Sequence, residues 1–213
     1  MTVRRWVAAL SFALAALPGR FAAAEETDGS YGRIEGDLLM VGSVGCAIAD
    51  GGPELESHVS LLYLSTAGLY ARYVETFGND AAPFSRVLGL GVELRPLFLG
   101  RFAKDLEHGP AVFDLFLDSL SLFVGATWRA ARSTGFDTEP GLELGVGLET
   151  PLMGRASGPY LGVLALARFH PRDLAHGSNS DLLDRGSAIV LTFAWHQVVS
   201  AHLVDARDPN ATP

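Results

Sequence analysis

The chain carries one cysteine in 213 residues, Cys46. A lone thiol closes no internal disulfide and cannot supply the paired thiolates of a structural zinc site. Cys46 lies among Val44, Ala47 and Ile48 with no neighbouring base, so it reads as a small buried hydrophobe and not as a reactive thiol. Positive charge is scarce too, with 16 Lys and Arg against 24 Asp and Glu. Arg4, Arg5 and Arg20 fall within the first 24 residues, which leaves 13 basic residues for the remainder. Nucleic-acid binding needs a concentrated basic surface, and this composition cannot build one. Also missing, beyond the first two dozen residues, is any apolar run of the roughly 20 residues a membrane helix requires. Yet 48% of the residues are hydrophobic and the mean hydropathy is +0.24.

The first residues point to export. Arg4 and Arg5 precede an apolar run from Trp6 to Leu17, and Ala22-Ala23-Ala24 stands just before Glu25-Glu26. A positive end, a short greasy helix and small residues at a cleavage point form a secretory signal peptide. Cleavage is expected after Ala24, and with no cysteine at that point a lipoprotein anchor is not expected. The expected division is therefore a signal peptide over 1–24, one domain over 25–204 and a polar tail over 205–213.

Within the domain, hydrophobicity alternates with period two, the mark of strands with unlike faces. In Tyr31 to Ile48 the even positions run Ile34, Gly36, Leu38, Met40, Gly42, Val44, Cys46, Ile48, and the odd ones include Arg33, Glu35, Asp37 and Ser43. From Glu54 to Phe77, Val59, Leu61, Tyr63, Ala67, Leu69, Ala71 and Tyr73 oppose His58, Ser60, Thr66, Gly68 and Arg72, as one very long strand or two. Arg86 to Leu97 sets Leu88, Leu90, Val92 and Leu94 against Gly89, Gly91, Glu93 and Arg95. Ser119 to Arg129 sets Leu120, Leu122, Val124, Ala126 and Trp128 against Ser119, Ser121, Gly125 and Thr127. Gly141 to Thr150 is the cleanest, Leu142, Leu144, Val146 and Leu148 facing away from Glu143, Gly145, Gly147 and Glu149. Tyr160 to Phe169 and Ser187 to Val199 complete the set.

Breaks rich in Gly, Pro, Asn and Asp separate these runs, at 49–53, 78–80, 133–135, 154–159 and 171–186, and such residues supply the backbone angles of reversals. Strand following strand with no helix between them implies antiparallel pairing. The segment Phe98 to Leu117 differs, because its apolar residues recur at three and four. It is expected to be a short helix or helical hairpin at the barrel mouth, or an irregular strand. Seven clear runs imply eight strands, since single-chain bacterial barrels have even numbers.

The expected fold is all-β, a closed antiparallel up-and-down transmembrane barrel of about eight strands. Apolar faces would meet lipid and charged faces would share the lumen. Tyr31, Tyr63, Tyr73, Trp128, Tyr160, Phe169 and Trp195 fall near strand ends, where amphipathic rings prefer the headgroup level. A soluble lipid- or small-molecule-binding barrel in the periplasm is the inverse arrangement, with Leu142, Leu144 and Val146 lining a cavity.

The segments Tyr31-Gly32-Arg33-Ile34-Glu35-Gly36-Asp37, Gly89-Leu90-Gly91-Val92-Glu93-Leu94-Arg95-Pro96-Leu97-Phe98-Leu99, Asp118-Ser119-Leu120 and Ala194-Trp195-His196-Gln197 together resemble a group of small outer-membrane β-barrel proteins seen in myxobacteria and their relatives. The resemblance covers most of the exported chain. It implies a fold and a compartment and brings no activity with it. The expected partners of such a barrel are outer-membrane lipid, the barrel-insertion machinery during assembly, and an unidentified envelope component met by the loops.

Glu35, Asp37, Arg72, Glu93, Arg95, Glu143 and Glu149 form the expected lumen charge network. Buried charge must be paired to be tolerated, so Arg72 and Arg95 read as counter-ions in a structural plug. An ion path would need continuous water instead. His176-Gly177-Ser178-Asn179 resembles the histidine and serine motif of outer-membrane lipid A deacylases, in which His176 would be the base acting on Ser178. It stands in a Ser-, Asn- and Asp-rich stretch, with Asp181 and Asp184 as poor substitutes for a following Glu, and reads better as a solvated turn. His58 and His196 fall on polar faces as hydrogen-bond partners. No cofactor and no metal ligand set is expected.

Overall fold

The computed structural model describes residues 31–49, 52–77, 86–130, 135–169 and 186–201. The expected signal peptide, the polar tail and the stretch holding His176 and Ser178 lie outside the described residues.

Eight strands follow one another in sequence: β1 (Leu38–Ala49), β2 (Gly52–Tyr63), β3 (Ala67–Thr76), β4 (Arg86–Leu94), β5 (Ser121–Ala130), β6 (Gly141–Pro151), β7 (Gly158–Phe169) and β8 (Gly186–Val199). Each pairs antiparallel with the next, and β1 pairs with β8, Leu38 opposite Val199 and Ala47 opposite Val190. The sheet therefore closes into a barrel in which every strand has two neighbours. Two helices, α1 (Pro96–Phe102) and α2 (Ala111–Asp118), bridge β4 to β5.

The ambiguous run from Glu54 to Phe77 is two strands. Leu64 and Ser65 both take left-handed backbone angles, φ 47° and 56°, and the Thr66 N–H and hydroxyl both donate to the Tyr63 carbonyl, at 3.0 and 2.9 Å. Glycine and asparagine usually fill such positions. Neither is present, so the reversal leaves no ordinary mark in the sequence. The eighth strand comes from this split and not from the segment 98–117, which is the helical hairpin. Pro96 sits in the first turn of α1, where its fixed φ suits a helix and its missing N–H costs nothing.

The faces are inside out relative to a water-soluble barrel. Leu69, Ile189 and Leu191 point outward, 63–70% exposed, whereas Glu93 and Glu143 point inward at 0%. Leu144 and Val146 are exposed on the outer face of β6, which removes the cavity required by the lipid-binding alternative. Cys46 is exposed on the outer face of β1 and not buried as expected. In this barrel an apolar position is an outer position, so its neighbours Val44 and Cys46 are exposed together. The lumen is not uniformly polar either. Ala47, Tyr70, Phe123, Leu164, Leu166, Ala188 and Val190 pack as one apolar cluster, and Leu39, Val41, Leu62, Tyr160 and Ala194 as another.

One mouth gathers the start of β1, the end of β8, the β2–β3 turn, the helical hairpin and the β6–β7 turn. Residues 31–37, expected to open the first strand, instead fold across this mouth ahead of β1.

Gly91 of β4 stands opposite Gly125 of β5, and the Tyr70 ring fills the space above the pair. A β-carbon on Gly125 would overlap the Tyr70 hydroxyl and the Leu90 carbonyl, and one on Gly91 would lie 2.8 Å from Tyr70 Cε1. Gly125→Val is therefore expected to destabilise the barrel by about 1–3 kcal/mol through overpacking, read as a lower urea midpoint for the detergent-folded protein. Gly42→Ala, where a β-carbon meets nothing within 4 Å, should leave that midpoint unchanged.

Candidate functional site

The polar side of the lumen is built by β2, β3, β4, β6 and β7, whose inward positions carry the charges. Glu143 lies at its centre. Arg168 Nε meets Glu143 Oε2 at 2.9 Å, the Tyr70 hydroxyl donates to Oε1 at 3.0 Å, and Arg72 donates to the same oxygen. Arg72 also pairs with Glu56 at 3.0 Å, and Arg168 extends to Glu54 and Glu56 at 3.8 and 3.9 Å. The Arg72 guanidinium lies 5.1 Å from the centroids of both the Tyr70 and Phe123 rings, and such cation–π contacts strengthen where water is excluded. All of these charged groups except Glu54 are buried.

A second set continues toward the hairpin mouth. Arg95 pairs with Glu93 at 2.8 Å and with Glu149 at 3.3 Å, and His196 Nε2 lies 2.9 Å from Glu149. The His196 ring stacks on Tyr160 with centroids 3.8 Å apart. Tyr160 thus points into the lumen and does not belong to an outer aromatic girdle. Ser119, just beyond α2, closes the set: its hydroxyl donates to the Glu149 carbonyl at 2.6 Å and accepts from the Glu149 N–H at 2.8 Å.

Of the residues expected to share the lumen, Arg72, Glu93, Arg95, Glu143 and Glu149 are brought together there. Glu35 and Asp37 are not. Glu35 is exposed, and its carbonyl accepts from the Ser200 hydroxyl. Asp37 accepts from the Ala201 N–H at 2.6 Å. Both lie before β1 begins, so alternation no longer decides which way they point. Sequence reasoning passed over Glu56 and Arg168, although both fall on the inward phase of their strands. Arg168 was hidden because Tyr160 to Phe169 is apolar on both faces.

The mouth carries a third cluster, around the hairpin. Arg33 pairs with Glu107 at 2.9 Å and Asp118 at 2.5 Å and lies over the Phe98 ring. Arg101 reaches Asp118 at 2.8 Å and also pairs with Asp114. The Tyr31 hydroxyl donates to Asp114 at 2.8 Å, and burial with that contact pushes the phenol up to about 12. Burial would raise Asp114, but hydrogen bonds from Arg101, Tyr31 and the Gly109 N–H outweigh it and hold the carboxyl below its ordinary value. Glu107 goes the other way, raised to about 7 by burial and by its contact with Asp118, against the pull of Arg33.

Chemically this interior is a lock. Ser43, His58 and Glu93 stand in the order of a nucleophile, a base and an orienting acid. Their separations are 3.5 and 4.0 Å, and the second exceeds hydrogen-bond reach. The adjoining cavity, between Ser43, His58, Glu93, Glu149 and Thr192, encloses about 20 Å³, room for a water and not for an acyl group. Among the described residues no group of three or more His, Cys, Asp or Glu is placed to hold a metal ion.

A closed, inside-out barrel of eight strands, bolted by internal ion pairs, is the class these features define. Among solved structures it is similar to the N-terminal β-barrel domain of Pseudomonas aeruginosa OprF, at 9% identity and TM-score 0.45, over 76% of this chain and 98% of that one. It is similar also to Acinetobacter baumannii CarO2, at 13% identity and TM-score 0.41, over 75% and 99%, and to the outer membrane enzyme PagL, at 12% and 0.35, over 75% and 99%. No family model matches the chain. No curated protein matches it at a significant level.

Two outcomes follow. Glu143→Ala takes from two buried guanidinium groups the carboxylate nearest to both and leaves them Glu56 to share, and breaking buried pairs this way is expected to destabilise by about 3–5 kcal/mol, read as the loss of heat-modifiable gel mobility at urea concentrations the wild type withstands. The Glu107 carboxyl, ordinarily near 4.5, titrates near 7 in the folded mouth. The folded state therefore holds this proton more tightly than an open chain, and stability falls as pH rises from about 4.5 to 7. Amide protection in 96–118, taken relative to the intrinsic exchange rate at each pH, should fall over that interval, and Glu107→Gln should flatten the dependence.

Proposed function

We propose that this chain is a non-enzymatic protein of the bacterial outer membrane, with a structural or interaction role, whose lumen is plugged by its own charged side chains. Three features support the membrane. The outer face of the barrel is predominantly apolar, the charges are turned inward except at the rim, where Glu75 stands opposite Arg86, and the chain opens with the pattern of an export signal. A barrel with that polarity is stable where its surroundings are hydrocarbon and would aggregate in water. Its partners are then the surrounding lipid, the insertion machinery during assembly, and an envelope component reached through the loops at the mouth opposite the hairpin. Kinship with the myxobacterial barrels is part of this proposal and rests on the sequence segments quoted above.

The plug is the observation that carries the role. Ion pairs run from Arg168 through Glu143 and Arg72 to Glu56, and again from Glu93 through Arg95 to Glu149 and His196. Between them and the hairpin, among the described residues, lies a small cavity of about 20 Å³ beneath Arg33, Phe98 and Tyr160. An eight-stranded barrel is just wide enough to be filled by side chains, and this one is filled. With the described lumen occupied by paired charges and apolar side chains, function moves to the ends of the strands, where such scaffolds carry it.

Planar-bilayer recording tests this reading. Protein whose folded state is verified by heat-modifiable mobility should insert without unitary conductance steps. Steady ohmic openings of the wild type would show a water path and sink the plug.

A further inference from the structure

The helical hairpin obeys the rule of the strands and not that of a water-facing helix. In α2 the buried residues are Asp114, Leu115 and Asp118, while Val112 and Phe113 are exposed, Phe113 at 53%. In α1 Phe98 is buried while Leu99 and Phe102 face out, and Leu106, in the bend, is 54% exposed. A helix on the surface of a soluble protein turns its carboxylates to water and its hydrocarbon inward. Here the carboxylates are inside, matched by Arg33 and Arg101, and the hydrocarbon is outside.

This exposed face is continuous with the outer belt of the barrel. The helix α1 begins two residues after the exposed Leu94 of β4, and α2 leads into β5, whose Leu122 is exposed. The hairpin then reaches across: α2 packs on β6, and Ala111 Cβ approaches the β6–β7 turn at Gly154, beside which Leu152 is also exposed. Lys104, Asp105 and His108, the exposed charged and polar groups of the hairpin, are confined to the bend between its helices.

We propose that the hairpin is an interfacial foot, its outer face seated at the boundary between acyl chains and headgroups of the lipid leaflet nearest this mouth, with phospholipid as the occupant. An inverted amphipathic surface of this kind needs an apolar neighbour. The unbroken step from Leu94 and Leu122 onto the helices places it beside the same hydrocarbon that covers the strands. The inference rests on the membrane reading given above, and the bend, with Lys104 and His108, would mark the water side.

Spin labels test the foot in the full exported chain folded into vesicles of phosphatidylethanolamine and phosphatidylglycerol. Cys46→Ala provides the background, with single cysteines in place of Phe113, Leu99, Lys104 and, on the belt, Val124, each verified by heat-modifiable mobility. The labels at 113 and 99 are expected to collide with dissolved oxygen several-fold more readily, relative to an aqueous nickel complex, than the label at 104 does. Should they match 104 while 124 remains shielded from nickel, the hairpin faces water or awaits a protein partner, and the foot is overturned with the barrel reading intact. Should 124 also be open to nickel, the membrane reading itself falls. If Phe113→Cys does not fold, Leu99→Cys carries the same comparison.

Discussion

Closure between β1 and β8 is the constraint on which everything else depends. Once every strand has a neighbour on both sides, the backbone N–H and C=O groups of the paired residues are turned to one another, and the wall can stand in hydrocarbon. Closure also leaves each residue only two directions, into the lumen or away from it. A lumen this narrow cannot hold bulk water, so any charge sent inward must find its partner among the other inward residues. Glu143 shows the consequence. It sits between Arg72, Arg168 and Tyr70, which come from two other strands, and it has no solvent to fall back on. The inward charges are therefore mutually dependent, and the plug follows from the same closure that makes the wall.

The hairpin extends this logic beyond the strands. Residues 95–120 are far longer than a connection between neighbouring antiparallel strands needs, and the surplus is folded over one mouth. Arg33, arriving from the segment before β1, is held there by Glu107 and Asp118, and Ser119 links the cluster to Glu149 inside the barrel. The first and last described parts of the chain meet at this point as well, through Glu35 with Ser200 and Asp37 with Ala201. Closing the cylinder and capping it are thus joined in one set of contacts, and the helices inherit the strands' inverted polarity.

Much of the fold was legible because a strand writes its two faces into alternate residues. Glu143 and Glu149 against Leu144 and Val146 could be sorted without coordinates. Legibility failed where that code was silent. The Leu64–Thr66 turn lacks the residues that normally announce a reversal, so the second and third strands could be read as one. Strand β7 is apolar on both faces, so neither Arg168 nor the inward Leu164 and Leu166 could be assigned a side. Glu35 and Asp37 lie in phase with the lumen, but outside a strand phase has no meaning. Cys46 was misread because burial was inferred from apolar neighbours, an inference that holds in water and reverses where the apolar face is the outer one.

By itself the sequence determined which residues of a strand share a face, that most strands follow one another through short reversals, and that the segment Phe98 to Leu117 breaks the period of two. These are local properties, set by side-chain period and by backbone preferences within a few residues. Only the tertiary structure decided which acid meets which base, where Tyr160 and His196 stack, and that α2 turns its carboxylates toward Arg33 and Arg101. Glu143 and Arg72 are 71 residues apart in the chain. Their meeting is created by the register of successive strands around a closed ring, a quantity that no short stretch of sequence contains.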